Sequence, residues 1–384
     1  MAAALGALIL FPLFVGIICY FRDMDVIWIV FAVLLVLTDV LPLISVQHWT
    51  FRVLDFLRIQ LWGLQLLVLG VSLLPVIELG NTEWILFGLL FLSFLHNTWL
   101  LLPFLPIYPF KRSRKRSMGK ESVSVLALNV YQFNKRYEAF VALVKEYDPD
   151  IVLTMESNKD WEKGMEELES IYPHTKKIAL ENTYGMHFYT RLEVKCVTDH
   201  YYTADDFPSI EAELVGRDGQ LFTFWGVHPP PPSPTEEPTS KERDSELLTI
   251  AKRVREKQGP VVVAGDFNNV AWARSSVLFR RLSHLIDPRK GRGFTSTFHA
   301  QHPYFRFPID LFFHSKEIFI DSFKRLRDIG SDHFPLFCRF YFYTGIQPEN
   351  RGVEKADADE HAEAQAMIEE GRQVKADRPQ KAEE

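Results

Sequence analysis

The chain has 384 residues, with 43 basic and 49 acidic side chains and a formal net charge of −6. The charge is uneven: residues 1–120 carry 9 basic and 6 acidic side chains, residues 121–344 carry 28 and 32, and residues 345–384 carry 6 and 11. The long central part therefore lacks the basic surface of a general nucleic-acid binder. The 3 cysteines lie far apart and form neither a metal motif nor a disulfide framework.

Residues 1–110 contain four apolar runs, each close to or above the ~20 residues that a membrane-spanning helix needs. The runs are Ala2–Tyr20, Val26–Val46, Gln60–Ile77 and Trp84–Ile107. We predict a bundle of four transmembrane helices, or three if the first run is an uncleaved signal-like segment. That first run lacks the basic start of a secretory signal peptide. Residues 111–120 follow as a basic linker.

The positive charges of short loops indicate which side of a membrane is cytoplasmic. Arg52 and Arg58, between the second and third runs, fall on the same side as the basic run Lys111–Arg116. The loop that contains Glu78 and Glu83 has no base. This pattern favours a cytoplasmic location for the domain after residue 110, whether there are three spans or four.

Asp39, His96 and Asn97 are polar side chains within these apolar runs, and Asp39 is the acid inside a span. An ionisable residue inside a membrane is a candidate functional residue. Polar side chains also join neighbouring spans by hydrogen bonds, and we favour this structural role for all three.

From Ser122 the sequence alternates β-branched runs with amphipathic helical spacing, which is typical of α/β architecture. The predicted strands are Val123–Val130, Ile151–Met155, Gly185–Thr190, Ile210–Val215, Leu221–Val227, Val261–Ala264, Ile309–Phe313 and Phe334–Phe342. The predicted helices are Tyr137–Tyr147, Glu162–Ile171, Ser240–Glu256 and Ser275–Leu285. Residues 121–344 are enough for one α/β domain with a sizeable core. Residues 345–384 have no aromatic side chain, and we predict a disordered or transiently helical acidic tail.

Acids, amides and imidazoles recur at the ends of these predicted strands. They are Asn129, Glu156, His228, Asp266, Asn268, Asp310 and the triplet Ser331-Asp332-His333. Most of them, taken alone, also suit an ordinary turn or helix cap. Asp310 is different, because an unpaired carboxylate in an apolar run is costly. Strands that share a sheet bring their ends together, so we predict that these side chains converge on one site.

The chemistry of this set fits hydrolysis of a phosphoester. Glu156 and the amide oxygen of Asn129 suit Mg²⁺ or Mn²⁺, because a small hard cation takes few protein oxygens and keeps water and substrate phosphate as ligands. Asp266 is placed to activate a water molecule, and Asn268 to donate to a phosphate oxygen. No Ser or Cys has the setting of a nucleophile, which favours direct attack by water.

Two histidines complete the predicted site. His333, paired with Asp310, would stabilise the charge that develops around phosphorus. His228 would act on the phosphate charge or on the leaving oxygen.

These motifs, in this order, resemble those of the endonuclease/exonuclease/phosphatase superfamily, which has the DNase I-like fold. The matching segments are Leu128-Asn129-Val130, Met155-Glu156, Gly226-Val227-His228, Gly265-Asp266-Phe267-Asn268, Ile309-Asp310 and Ser331-Asp332-His333. The resemblance implies a four-layer α/β sandwich with two packed sheets, a divalent metal and the residue roles given above. It adds Asp332 as a metal ligand or as an acid that orients His333. Met155 departs from the pattern, because the family commonly has Gln there.

The run His228–Pro232 and the apolar N-terminal region look similar to a bacterial membrane-anchored branch, the YafD-like and VanJ-like proteins. For the VanJ-like group this resemblance implies an extracytoplasmic catalytic domain. The loop charges indicate the opposite side, and both locations stay open.

We therefore hypothesise a multi-pass protein of the cell membrane that is a Mg²⁺-dependent phosphoesterase. Its partners would be the lipid bilayer and a phosphorylated substrate, in our preferred version a lipid-linked phosphate or pyrophosphate. One alternative is a metal-dependent nuclease that acts on nucleic acid. Another is a membrane scaffold that has kept the fold without catalysis.

Overall fold

The computed structural model describes residues 26–44, 46–74, 80–109, 118–233, 237–343 and 353–377. The chain divides into two compact units. The first comprises Met1–Val46 and Thr50–Leu102, and the second comprises Gln47–Trp49 and Pro103–Glu384. The predicted span Ala2–Tyr20 and the basic run Lys111–Arg116 lie outside the described residues.

The first unit is helical. Its helices are α1 (Val26–Leu43), α2 (Trp49–Phe56), α3 (Arg58–Ser72) and α4 (Asn81–Leu101). Two helical stretches, Val26–Leu43 and Asn81–Phe104, are long and apolar enough to cross a membrane. The α2–α3 pair would be a third such stretch if it is counted as one span with a bend of 68°.

The predicted run Gln60–Ile77 therefore differs from what the structure shows. The helix begins earlier, because α2 precedes it, and α3 ends at Ser72. Arg58 lies at the break between α2 and α3, and its guanidinium contacts the side chains of Asp39, Asp55 and Asn97. These contacts satisfy a buried charge at the bend, which apolar periodicity does not predict.

The second unit contains two mixed sheets. The six-stranded sheet has the order β10-β11-β1-β2-β4-β3, and the five-stranded sheet has the order β5-β6-β7-β8-β9. The strands are β1 (Met118–Asn129), β2 (Ile151–Met155), β3 (His174–Ile178), β4 (Met186–Thr190), β5 (Glu193–His200), β6 (Ser209–Val215), β7 (Leu221–Val227), β8 (Val261–Asp266), β9 (Asp310–His314), β10 (Ile318–Arg325) and β11 (Leu336–Tyr343). Only the β1–β2 and β7–β8 pairs of these sheets are parallel among the described strands.

Helices cover the outer faces of the two sheets. They are α5 (Tyr137–Tyr147), α6 (Lys159–Gly164), α7 (Lys241–Glu256), α8 (Arg274–Ser283) and α9 (Ala358–Asp377). One apolar core lies between the sheets and includes Leu153, Phe224 and Phe340. Separate outer cores join α5 and α6 to the first sheet, and α7 and α8 to the second. These layers confirm the predicted four-layer α/β sandwich.

The parallel pairs bring strand ends of both sheets to the same edge. Asn129 at the end of β1 is in register with Met155 at the end of β2, and Asp266 of β8 lies opposite Asp310 of β9. The residue before Asp266 must be glycine. Gly265 has a φ of +150°, and a Cβ there would lie 2.0 Å from the carbonyl oxygen of Val227.

Residues 353–377 are the described part of the predicted disordered or transiently helical tail, and they pack on helices of the second sheet. Ala358–Asp377 forms the helix α9, in which Ala364 and Ile368 are buried against α7. The acidic side chains of this segment pair with arginines of α8. The composition indicates that the segment cannot form a hydrophobic core of its own. Helices α7 and α8 provide the surface on which it packs.

Candidate active site

The eight predicted site residues lie together at the edge of the sandwich where β1, β2, β7 and β8 end. Six of them are joined to another member through side chains, by a hydrogen bond or at ion-pair distance. They are Asn129, Glu156, His228, Asp266, Asp310 and His333. Asn268 and Asp332 adjoin them on the same loops, and the Asp332 charge acts on both Glu156 and His333.

Asp266 is the central residue of the site. Its Oδ2 accepts a hydrogen bond from Asn129 Nδ2 at 3.1 Å and lies 3.6 Å from His333 Nε2 and 3.9 Å from His228 Nε2. Its Oδ1 accepts from the Asn268 backbone N–H at 2.9 Å. One carboxylate thus links the ends of both sheets and is buried among groups that hold its orientation.

His333 and Asp310 form the predicted pair. His333 Nδ1 lies 2.8 Å from Asp310 Oδ2, so Nε2 points toward Asp266. Burial alone would lower the pKa of His333, but the carboxylates of Asp310, Asp266 and Asp332 outweigh it and raise the pKa to about 10. His333 is therefore protonated at neutral pH and brings a positive charge into the site.

His228 has the opposite protonation state. It is buried, and burial lowers its pKa to about 4 although Asp266 opposes the shift. Its Nδ1 has no hydrogen-bond partner among the described residues, and its ring lies 5.4 Å from that of Tyr184. The site thus offers one cationic and one neutral imidazole at neutral pH.

Asn129 differs in one respect from its predicted role. Its Nδ2 donates to Glu156 Oε1 at 2.8 Å and to Asp266, while its Oδ1 accepts from the Tyr131 backbone N–H at 3.0 Å. The amide nitrogen, not the oxygen, therefore faces the carboxylates. In this arrangement Asn129 joins two acids and offers no oxygen to a metal ion.

Glu156 is the best-placed metal ligand at the end of β2. Its Oε2 accepts from the Gln132 backbone N–H at 3.2 Å, and burial raises its pKa to about 7, with the Asp332 charge adding to the rise. A cation would remove this electrostatic cost. Asp266, Asp310 and His333 form another candidate metal site, because their ligand atoms lie within 4.8 Å of one another. Within that group, Asp310 Oδ1 has no hydrogen-bond partner among the described residues and is available to a cation.

The donor set fits a hard divalent cation. Four carboxylates (Glu156, Asp266, Asp310 and Asp332) meet one protonated imidazole, so the cluster has excess negative charge. Carboxylate oxygens are the ligands that Mg²⁺ and Mn²⁺ prefer.

Asn268 lies on the loop after β8 with a left-handed φ of 47°. Its Nδ2 donates to the carbonyl oxygen of Pro229 at 3.0 Å, which leaves the second N–H of the amide for another acceptor. Asn269 has a different task, because its Nδ2 donates to Ser275 Oγ at 2.8 Å and holds the turn before α8.

Two features of the site were not predicted from the sequence. The first is Arg243 of α7, which is buried and donates from Nη1 to the Asn268 carbonyl oxygen at 3.0 Å. The second is a group of exposed aromatic side chains on loops that contact site residues, Tyr131, Phe133, Tyr304 and Phe305. Nothing in the helical pattern distinguishes Arg243 from a surface arginine, and loop aromatics carry no periodicity.

The chain is similar to several proteins of solved structure. No curated protein matches the sequence. Among solved structures, an endonuclease/exonuclease/phosphatase family protein from Bacteroides thetaiotaomicron is 18% identical, with 61% of this chain and 99% of that chain covered and a TM-score of 0.49. Zebrafish (D. rerio) TDP2 complexed with single strand DNA product is 17% identical, with 57% and 98% covered and a TM-score of 0.49.

A mannosyl-6-phosphatase from Bacteroides thetaiotaomicron is 18% identical, with 57% and 100% covered and a TM-score of 0.47. The model of the Endonuclease/Exonuclease/phosphatase family matches residues 126–333, which is more than half of the sequence and includes all eight predicted site residues. The chain belongs to the endonuclease/exonuclease/phosphatase family.

Proposed function

We propose that this protein is a membrane-anchored, divalent-metal-dependent phosphoesterase that cleaves a phosphate or pyrophosphate ester by direct attack of water. The observation that carries this proposal is the meeting of four carboxylates, one cationic imidazole and one neutral imidazole where strands of both sheets end. Membrane anchoring rests on the apolar helices Val26–Leu43 and Asn81–Phe104. The side of the membrane and the YafD-like and VanJ-like branch stay predictions.

Glu156 and Asp332 would hold Mg²⁺ or Mn²⁺, with Asn129 keeping the Glu156 and Asp266 carboxylates in place through its amide nitrogen. The bound cation neutralises charge on the substrate phosphate. The other site residues act on the reacting oxygens and their protons.

In the proposed reaction Asp266 accepts a proton from water, whose oxygen forms the new bond to phosphorus. Asn268 donates from Nδ2 to a nonbridging oxygen. The P–O bond to the leaving group breaks, and His333 Nε2 carries the proton available to that oxygen, with Asp310 stabilising the imidazolium. The neutral His228 donates an N–H to the phosphate.

Exposed aromatic side chains around the site support a substrate with an apolar part. Phe133 is 65% exposed and Tyr304 is 83% exposed, yet both belong to loops that bind site residues. Gln132, next to Phe133, donates its backbone N–H to Glu156, and the Ala300 N–H donates to the Asp332 carbonyl oxygen at 2.7 Å. Aromatic side chains in such a position bind lipid chains or the membrane interface.

A substrate panel tests this proposal on the full chain in detergent with added Mg²⁺. The panel contains bis(p-nitrophenyl) phosphate, an isoprenoid pyrophosphate and single-stranded DNA. We expect cleavage of the first two, and a Phe133→Ser/Phe305→Ser variant should lose turnover of the isoprenoid substrate alone. The matched control is Leu221→Ser, which removes an exposed apolar side chain at the opposite end of β7. Equal losses on both substrates would contradict an apolar-chain subsite.

The nuclease alternative rests on the same aromatic side chains, because they also stack on unpaired bases. The excess of acidic over basic side chains in residues 121–344 disfavours it. Preferential cleavage of single-stranded DNA, with loss of that activity in the Phe133→Ser/Phe305→Ser variant, would replace our first proposal by this one. A chain that binds Mn²⁺ but cleaves nothing in the panel would be a scaffold.

A further inference from the structure

Two helices, α7 and α8, contact the loop that carries Asp266 and Asn268. Arg243 of α7 donates from Nη1 to the Asn268 carbonyl oxygen at 3.0 Å, and Asn269 donates to Ser275 of α8 at 2.8 Å. Asn268 adopts a left-handed conformation, which most residues other than glycine seldom take and which asparagine tolerates better than most. Such a conformation persists where the surroundings fix it, so these two contacts matter for the direction of the Asn268 amide.

The guanidinium of Arg243 is itself fixed. Arg243 is 2% exposed, and its Nε and Nη2 donate to Asp244 Oδ1 at 2.9 and 2.8 Å. The other oxygen of Asp244 accepts from Ser240 Oγ at 2.7 Å. Two donors are used within α7, and Nη1 is left pointing at Asn268. A side chain with five donors in a rigid plane suits this arrangement, whereas a lysine would not reproduce it.

The C-terminal segment (residues 353–377) packs on the same stretch of α7. It lies outside residues 126–333, which match the family. Ser245 Oγ donates to the Ile368 carbonyl oxygen at 3.1 Å. Gly371 lies against α7 so closely that a Cβ there would be 2.3 Å from Ser245 Cβ and 2.6 Å from the Lys241 carbonyl oxygen. Position 371 therefore needs glycine for the two helices to touch.

The same segment holds α8 through charge. Glu360 and Glu363 pair with Arg274, the first residue of α8, at 3.0 Å or closer. Glu354 pairs with Arg280 and with Lys290. Burial raises the pKa of Glu354, but the Arg280 charge and the Lys290 hydrogen bond outweigh it and lower the pKa to about 2. Both helices that hold the Asp266–Asn269 loop are thus bound by one segment outside the family domain.

We propose that Arg243 is a positioning residue for Asn268 and that the C-terminal segment keeps α7 and α8 where they fix this loop. The inference rests on the proposed function in one respect, the contact between Asn268 and the substrate phosphate. Arg243 does not reach the reacting atoms. It sets the direction of the Asn268 backbone, and through it the amide N–H that donates to the phosphate.

Hydrogen–deuterium exchange of the full chain tests the structural half without any substrate. The backbone N–H groups of Phe267 and Asn268 donate to Ile309 and Asp266, so their exchange is protected. We expect Arg243→Gln and Gly371→Leu each to raise exchange of this loop at least about tenfold. Arg253→Gln is the matched control, because Arg253 is an exposed residue of the same helix that pairs with Glu256. Unchanged loop exchange in both variants would overturn the proposal.

Kinetics with bis(p-nitrophenyl) phosphate test the link to Asn268. We expect Arg243→Gln to lower kcat by about 10²-fold, the order expected for a displaced catalytic group, while Mn²⁺ affinity stays the same. The double variant Arg243→Gln/Asn268→Ala should be no slower than Asn268→Ala alone, because both act through one group. Multiplied losses, or a parallel loss of Mn²⁺ affinity, would show that Arg243 does not act through Asn268.

The two proposals fail in different ways. A wild-type chain that cleaves no phosphoester would refute the proposed function, and loop exchange would still decide the role of Arg243. Should Gly371→Leu unfold the chain, Glu360→Gln/Glu363→Gln removes the charges that hold α8 and leaves the helix contact intact. That variant is expected to raise loop exchange in low salt, whereas the control Arg253→Gln should exchange at the wild-type rate.

Discussion

Two buried polar clusters in this protein differ in the balance of their charges. In the N-terminal unit both oxygens of Asp39 accept hydrogen bonds, from Arg58, Ser93 and His96. In the candidate active site Asp310 Oδ1 and His228 Nδ1 have no hydrogen-bond partner among the described residues. Unpartnered atoms alone do not distinguish the clusters, because Arg58 Nε of the N-terminal cluster also lacks a hydrogen-bond partner among the described residues.

The two clusters differ in how much positive charge offsets their carboxylates. Arg58 lies between Asp39 and Asp55 and is hydrogen-bonded to both, so the N-terminal cluster contains its own counter-charge. The active-site cluster sets four carboxylates against the single charge of His333. The comparison teaches that the first cluster joins helices, as we predicted for Asp39, His96 and Asn97, whereas the second has the excess negative charge that our proposal assigns to a cation site.

The largest effect is expected in the active site. His333→Ala should lower kcat by about 10³-fold or more, because it removes both the positive charge and the proton for the leaving oxygen. Asp310→Asn should act on the same step, so the double variant should be about as slow as His333→Ala. Rates of bis(p-nitrophenyl) phosphate cleavage measure this, with the exposed His174→Ala as control. A normal rate in His333→Ala would refute its assigned role.

The N-terminal cluster should respond in stability and not in turnover. Asp39→Asn leaves the buried Arg58 guanidinium without its partner on α1, which should cost about 3–5 kcal/mol of stability. The thermal midpoint of the full chain in detergent measures the loss. Specific activity of the folded fraction should stay the same. An active-site phenotype with unchanged stability would mean that the comparison between the clusters is wrong.

Metal affinity gives a narrower test. Glu156→Gln should weaken Mn²⁺ binding by more than the about 10- to 100-fold that loss of a supporting group costs, because it removes a ligand. Calorimetric titration of the full chain measures the affinity, and Glu193→Gln, an exposed glutamate of β5, is the control. Asn129→Ala should have the smaller effect of the two, since its amide nitrogen faces the carboxylates. The reverse order would restore Asn129 as the principal ligand.

The smallest expected effect is on the pH dependence of stability. The folded-state pKa of His333 is raised from 6.5 to about 10, so its stabilising contribution is fully present below 6.5 and is lost as the pH rises through about 10. The thermal midpoint should therefore fall from neutral pH to above pH 10, and more weakly in Asp310→Asn. An equal fall in both proteins would show that the pair does not cause the dependence.

The fold could be predicted where strands are buried on both faces. Val261–Ala264 and Leu221–Val227 are near-continuous apolar runs that form inner strands of the five-stranded sheet, and both were predicted. The three strands without a prediction, β3, β5 and β10, are edge strands with exposed residues on at least one face. Edge strands pair on one side only, so their sequences need no apolar run.

The site could be predicted as a set of residues but not in its contacts. Polar side chains at strand ends identified Asp266, His333 and Glu156, because parallel strands bring those ends together. The direction of the Asn129 amide, the burial of Arg243 and the binding of the C-terminal segment depend on packing between distant parts of the chain. Local sequence patterns do not predict packing between distant parts of the chain. A segment with the composition of residues 353–377 would be expected to be disordered in isolation.

The most direct test of the account is the Mg²⁺ dependence of bis(p-nitrophenyl) phosphate cleavage by the full chain and by Asp266→Asn. Asp218→Asn, in an exposed turn, serves as the matched control. We predict that wild type and Asp218→Asn show no cleavage in EDTA and full cleavage once Mg²⁺ is restored, while Asp266→Asn stays inactive at every Mg²⁺ concentration although it is folded. Cleavage by Asp266→Asn at the wild-type rate, or wild-type cleavage that is insensitive to EDTA, would contradict the account.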